Sequence, residues 1–377
     1  MSLKSVIEFS VKLLKLLNST EKSTIYSPSL ILNSLAMIFA GSNGITAEEI
    51  VEIIGKGKDR DEIIEYYSNF FHHCKTLDDG FTLKEPFTPT KQVLYQLLLS
   101  NRLFVSNKSK VSSEWEKIME EKFDSQFESV NFDEKGETVN KINKFVALKT
   151  EYQINKIIQE NDIDDETVLF IISALTFKGY WKKPFDDPIP RNFYSNNNSV
   201  RKIDMITHDA HMEEWNLTEG ENWQCLGIPF KTDQSWLHIL LPHKNEDFAG
   251  IVEKLDFLQP VGKVIATIPT FQIESDFNFE KILKEMGLKN AFCDHYGIRG
   301  MLEEENVVIS KTIHKASIKV DKFGTFGYAC GVLGFKAQAF QQPKFFIADH
   351  PFVFFVTLID DKKQQNLKNI LLMGTFC

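Results

Sequence analysis

Hydrophobic and polar positions change their rhythm part-way along the chain. Val6, Ile7, Phe9, Val11, Leu13, Leu14 and Leu17 recur at near-helical spacing, which predicts a buried amphipathic opening helix. Ser27-Pro28-Ser29 starts a second apolar helix that runs to about Ala40 and is broken by Gly41–Gly44. Thr46 with Glu49 reads as the capping box of a third. Asp59–Asp79 reads as helical for most of its length, 80–92 as a loop, and Val139, Ile142, Phe145 and Val146 as the inner stripe of a further helix. Strand patterns then take over. Before that last helix, Val93–Val105 reads as a strand entered from a turn or short helix; after it, Val168–Phe177 is nearly continuous apolar sequence, as expected of a central strand covered on both faces. Trp236–Leu241, Val264–Gln272, Phe352–Leu358 and Asn369–Phe376 also read as strands, with a helix at Phe279–Met286. Helices early and strands late predict an α+β fold.

Composition narrows this picture. No Pro/Gly/Ser-rich linker, charge block or repeat divides the 377 residues, so one domain, 1–377, is expected. The 32 phenylalanines call for an aromatic core. With 43 basic against 52 acidic residues the net charge is −9, which disfavours nucleic acid as a partner. The longest apolar runs, Val168–Phe177 and Pro351–Ile359, fall well short of the roughly 20 residues a membrane-spanning helix needs. No secretory leader pattern follows Met1, which leaves a cytoplasmic location or, had a leader been removed, an extracellular one. Cys74, Cys225, Cys293, Cys330 and Cys377 are widely spaced and odd in number, so reduced thiols are expected. Asn18, Asn107, Asn197 and Asn216 stand in N-x-S/T sequons, as chance provides in an Asn-rich chain.

No enzyme chemistry emerges from the motifs. The chain contains no GxSxG elbow, HExxH pair, GxxxxGK[ST] loop or GxGxxG turn. His72-His73-Cys74 has no further ligand spaced nearby and reads as neighbours on different helix faces; His208 and His211 read as ordinary loop histidines. No cofactor, metal or catalytic residue is expected.

An ordered set of other motifs carries a resemblance. It comprises Ser27-Pro28 with Ile31, Leu35, Ala36 and Met37; Ser100-Asn101-Arg102-Leu103-Phe104; and Ala174 and Phe177-Lys178-Gly179-Tyr180-Trp181 with Pro184-Phe185. Next come Pro269, Phe271 and Ile273-Glu274, then Leu283, Met286-Gly287-Leu288 and Ala291-Phe292. Ile313-His314-Lys315-Ala316, Val320-Asp321 and Gly324-Thr325 follow, with Ala348-Asp349-His350-Pro351-Phe352 and Gly374-Thr375-Phe376 closing the chain. In this order they resemble the serpin, or serine protease inhibitor, family over essentially the whole chain. The resemblance implies three β-sheets, eight or nine helices and an exposed reactive-centre loop at about 322–343. It also implies a monomer that traps a target serine protease, or a cysteine protease, as a covalent acyl-enzyme by inserting the cut loop into the main sheet.

The resemblance also assigns residues. The family's spacing from the hinge glycine, applied to Gly324, puts the reactive centre at Gln338-Ala339; counting back from Pro351 reaches Phe340, and Lys336 would suit a trypsin-like pocket. The hinge is atypical: where the family usually has acids, Lys322, Phe323 and Phe326 stand. Taken alone this favours a non-inhibitory chaperone, carrier or binding protein. Side chains alternate along a strand, however, and Thr325, Gly327, Ala329 and Gly331 then share one face, with Phe326, Tyr328 and Cys330 on the other. All the bulk falls on one side, which favours insertion. At the family's shutter Ser27 and His314 match, whereas Leu30 and Ser173 replace a Ser and an Asn. Trp181 matches the aromatic residue at the head of the opening, beside Lys322, for which a solvated ammonium is the first reading and a cation–π contact with that ring the second. Heparin is disfavoured as a partner, because 59–79 holds six acids against Arg60 and Lys75.

Overall fold

The computed structural model describes residues 3–17, 22–76, 82–83, 92–93, 95–196, 199–209, 215–231, 234–243, 264–293, 297–303, 313–325, 343–359 and 367–377. Seven α-helices lie among them: α1 (Leu3–Leu16), α2 (Pro28–Ala40), α3 (Gly44–Ile54), α4 (Arg60–Thr76), α5 (Ser113–Phe123), α6 (Lys135–Lys149) and α7 (Glu280–Met286). None of the described helices is long and apolar enough to cross a membrane. Ser27 caps α2, its side chain accepting from Leu30 N–H with Pro28 at the first helical position. Every α2 residue except Ser34 is buried, which explains an apolar pattern running all round this helix.

One six-stranded antiparallel sheet runs β1 (Thr24–Tyr26), β18 (Leu367–Phe376), β17 (Phe352–Ile359), β11 (Ser235–Pro242), β10 (Trp223–Pro229), β9 (Asn216–Glu219). A four-stranded sheet runs β16 (Lys344–Ile347), β12 (Val264–Pro269), β8 (Val200–Asp209), β7 (Ile189–Tyr194). The main sheet is in two pieces. One is β15 (Gly324–Thr325), β6 (Leu169–Tyr180), β4 (Tyr95–Ser106), β5 (Gln126–Val130); the other is the antiparallel pair β13 (Phe271–Asn278) and β14 (Ile313–Val320). β6 and β14 lie alongside one another, yet among the described residues no backbone ladder joins them.

The two faces of β6 meet different cores. Leu175 and Phe177 enter the cluster around Phe230 and Leu30, while Phe170, Ile172 and Ala174 pack under α6 with Val139, Ile142 and Val146. This double burial accounts for the continuous apolar run.

Four local expectations are corrected. Helix α3 begins at Gly44 with Asn43 as its cap, so Thr46 and Glu49 form no capping box; Thr46 is buried, and Glu49 instead accepts from Lys289 N–H, Asn290 N–H and the Asn290 amide. Val264–Gln272 is not one strand: β12 ends at Pro269, Thr270 N–H makes a last bond to Asp204 O of β8 at 2.9 Å, and the chain joins the main sheet from Phe271. Within the expected loop 80–92, Thr82–Leu83 (β2) pairs with Gln92–Val93 (β3). His208 lies on β8, stacked on Trp215 at 5.0 Å, and not in a loop; His211 is outside the described residues. Of the sequons, Asn107 is exposed in a turn and Asn216 is 2% exposed on β9, which denies that amide to any glycosyl transfer in the folded state; Asn18 and Asn197 are outside the described residues.

Candidate functional site at the head of the main sheet

After β14 the chain makes a tight turn. Asp321 N–H donates to Gly324 O at 2.9 Å, Gly324 N–H returns to Asp321 O at 3.3 Å, and the Asp321 carboxylate accepts from Phe323 N–H at 2.9 Å. The turn places β15 antiparallel on β6, Gly324 opposite Tyr180 and Thr325 opposite Gly179. Thr325 is fully buried; its hydroxyl accepts from Gly179 N–H at 2.9 Å. Gly324 has φ +146°, and a Cβ there would sit 2.0 Å from Gly179 O, so both backbone freedom and close approach demand glycine. Gly179 is constrained from the other side, because its Cβ would meet the Phe230 ring at 2.6 Å.

That ring anchors the head of the sheet. Trp181 is 3% exposed, stacks on Phe230 at 4.8 Å and 11°, and donates its indole N–H to Asp321 O at 2.9 Å. Its backbone N–H reaches Phe323 O at 3.0 Å, and Phe185 N–H reaches Lys322 O at 2.8 Å. The turn is thereby tied to β6 by backbone as well as by ring. Lys322 follows neither reading: its ammonium pairs with Asp187 and lies over Phe323, 4.8 Å from the ring centroid. Trp181 already has Phe230 on one face and Phe185 at 5.8 Å, so a carboxylate outside the ring cluster is the stronger partner for a half-exposed lysine.

Below this point α2 touches both lips of the gap between β6 and β14. Ser27 N–H donates to His314 Nε2 of β14 at 3.0 Å, and the hydroxyls of Ser34 and Ser173 of β6 bond at 3.1 Å. Ser27 Oγ also donates to Leu371 O at 2.6 Å, and Ser29 Oγ to Ile370 O at 2.6 Å, fixing α2 to β18. Leu30 packs in the same apolar cluster as Leu175 and Phe177 of β6. Burial pushes the His314 pKa down to about 3, consistent with a neutral ring that accepts at Nε2. One further feature marks the gap: Thr176 Oγ1 on β6 is buried without a hydrogen-bond partner.

The structure thus brings Ser27, Leu30, Ser173 and His314 together along the gap, and Trp181, Lys322, Gly324 and Thr325 at its head. Gly327, Ala329, Gly331, Lys336, Gln338, Ala339 and Phe340 lie outside the described residues. Ser34, Ser29, Asp187 and Phe230 were not singled out from sequence; their partners are remote in the chain, and no local pattern signals them. The residues between 4 and 377 match the family model described as serpin, serine protease inhibitor.

The chain belongs to the serpin family.

Among its relatives, Serpin B8 of Homo sapiens is 26% identical over 92% of this chain and 93% of its own length. The crystal structure of Serpin48 from the insect Tenebrio molitor superposes with a TM-score of 0.81 at 27% identity, covering 98% of this chain and 96% of that one. The thermophilic serpin tengpin in its native state also gives 0.81, at 22% identity over 99% and 93%, and shows the shared fold. The seven helices and the six-stranded, four-stranded and divided main sheets are accordingly a serpin architecture.

Proposed function

We propose that this serpin is a one-domain, monomeric suicide-substrate inhibitor of serine endopeptidases, with cysteine endopeptidases as a second target class. The observation that carries the reading is the seating of Gly324–Thr325 as two residues of antiparallel strand on β6. Extending that register without slippage puts Gly327 opposite Phe177, Ala329 opposite Leu175 and Gly331 opposite Ser173, all on the β6 face that looks into the core. Phe326 and Tyr328 fall opposite Lys178 and Thr176 on the α6 face. Paired residues of an antiparallel ladder share a face, so the small side chains enter the core and the large ones avoid it.

The chemistry belongs to the protease. Its nucleophile attacks the Gln338 carbonyl carbon, the C–N bond to Ala339 breaks, and the Ala339 amine leaves with a proton from the protease's general acid. Gln338 remains joined to the protease as an acyl-enzyme. The freed loop then adds to the β6 edge, each new backbone bond contributing about 0.5–1.5 kcal/mol. The acylated protease is drawn along with it.

Incubation with a panel of trypsin-like and chymotrypsin-like proteases, followed by a denaturing gel, should reveal an adduct of serpin plus protease. Cleavage without any adduct, and without a rise in melting temperature, would overturn the proposal and leave the carrier or binding role, to which the substituted hinge positions Lys322, Phe323 and Phe326 point.

A further inference from the structure

Of the N-x-S/T sequons in the chain, the described residues hold Asn107-Lys108-Ser109 and Asn216-Leu217-Thr218. The inhibitory reading uses neither. They stand at opposite extremes of exposure in one molecule, so each serves as the control for the other.

Asn107 opens the turn that follows β4. Its N–H donates to Val130 O of β5 at 2.8 Å, and Ser109 N–H donates to Ser106 O at 3.0 Å, so Asn107 and Lys108 are the central residues of a hydrogen-bonded reversal. Lys108 is held by its N–H, which reaches Ser106 Oγ at 3.2 Å, and by its ammonium, which pairs with Asp133. The turn backbone is therefore fixed. The Asn107 side chain is exposed, that of Ser109 is partly exposed, and among the described residues no other group engages the Asn107 amide or the Ser109 hydroxyl. The far end of β4 pairs Tyr95 with Gly179, so the 12 residues of the strand separate this turn from the hinge. At about 3.3 Å per residue that is roughly 35–40 Å. A bulky group on Asn107 leaves the head of the sheet clear.

Asn216 lies on β9, 2% exposed and opposite Gly227, where even a methyl group would stand 3.2 Å from Asn216 Cβ. Its Nδ2 is buried without a hydrogen-bond partner. The two sequon amides are thus alike in being unengaged, and burial is what separates them.

We propose that Asn107 is an acceptor site for an N-linked oligosaccharide, and that Asn216 carries none in the folded protein. In the transfer, Asn107 Nδ2 bonds to the anomeric carbon of a lipid-linked oligosaccharide diphosphate. The bond from that carbon to the diphosphate oxygen breaks, the lipid diphosphate leaves with the electron pair, and one Nδ2 proton passes to a base of the transferase. A sugar on Asn107 displaces no packed side chain. A sugar taken up by Asn216 before folding would have to be buried beside Gly227, so that chain cannot close β9 onto β10.

The test expresses the full chain behind a cleavable signal peptide in a glycosylating cell line. Folded, secreted protein is separated from retained protein. Each pool is then treated with peptide N-glycosidase F in heavy-oxygen water, which converts every formerly glycosylated Asn to a labelled Asp. Peptide mapping reads each sequon separately. Expected are label at Asn107 in most secreted molecules and none at Asn216 in that pool. Asn107→Gln and Ser109→Ala should each lose the label at 107, with melting temperatures within about 2 °C of deglycosylated wild type. Should the chain fail to be secreted, its translation with rough microsomes gives the second readout: Ser109→Ala should lose one glycan's step in size. Secreted protein without label at Asn107, or equal sizes for wild type and Ser109→Ala in microsomes, would overturn the site. Label at Asn216 in folded, secreted molecules would overturn the burial argument.

Discussion

Replacing Gly327 with Arg isolates the insertion step. The extended register sets residue 327 opposite Phe177, which is 1% exposed and packs edge-on to Phe230 at 4.9 Å. An inserted guanidinium there would enter the apolar cluster that holds Phe177, Phe230, Leu175 and Leu30. Burying a charge without its partner costs about 3–5 kcal/mol, and overpacking adds about 1–3 kcal/mol. If half of about 4 kcal/mol is felt in the barrier, insertion slows roughly thirtyfold. Deacylation then wins, and the inhibitor becomes a substrate. The intact fold should be unaffected, since the seat of Thr325 on Gly179 is complete without residue 327. The assay compares adduct yield on a denaturing gel with melting curves of intact and nicked protein. Expected are an unchanged melting temperature for the intact variant, loss of most of the adduct, and no heat-resistant nicked form. An undiminished adduct yield from Gly327→Arg would refute both the register and the assignment of the inward face.

Ala329→Arg, opposite Leu175, should behave in the same way. Mass spectrometry of the C-terminal peptide freed by denaturing an adduct should place cleavage at Gln338-Ala339; a cut outside 336–341 would remove the assignment. Heparin should change inhibition rates less than about twofold, because Arg60 is consumed by Phe39 O, Ala40 O and Ser42 O, and hydrogen bonding and charge from Lys58 and Lys122 hold Glu62 and Glu65 of α4 below the usual carboxylate range; a large acceleration contradicts this. His314 and His238 are both depressed to about 3 by burial, so the fold keeps them neutral while the unfolded chain takes up protons below pH ~6.5. Stability from these groups is therefore full above pH ~6.5 and drains as pH falls towards 3, by about 2 kcal/mol each between pH 7 and 5. His314→Gln should remove about half of this loss in urea midpoint, and an unaltered pH dependence would contradict the burial argument.

What the sequence disclosed and what it hid divide along a physical line. β6 announced itself because both its faces are buried and its apolar run is nearly continuous; α2 did so because Ser27-Pro28 is a cap before an all-round apolar helix. His314 and Ser27 were found as matching family positions, and the structure joins them directly. Lys322 was placed near Trp181 and read as solvated or over that ring, and its Asp187 partner was missed, since Asp187 stands in a separate segment whose approach no local spacing encodes. The Ser34–Ser173 bond escaped for the same reason. Val264–Gln272 misled because β12 and β13 share one apolar rhythm while belonging to different sheets, and only Pro269 marks the crossing.

The place of β18 bears on how the molecule is made. Among the described residues β1 pairs only with β18 in its sheet, and α2 is tied to β18 by the Ser27 and Ser29 hydroxyls. A ribosome delivers residues 367–376 long after it delivers α2. At about 5–20 residues per second, the almost wholly apolar α2 waits roughly 20–60 s for its anchor after its own synthesis. The nascent chain must spend that interval with its most water-averse helix lacking its β18 contacts, and any chain released before β18 emerges lacks the strand that joins β1 to β17. Chaperone demand and loss of prematurely terminated chains are thus written into the order in which the strands are threaded.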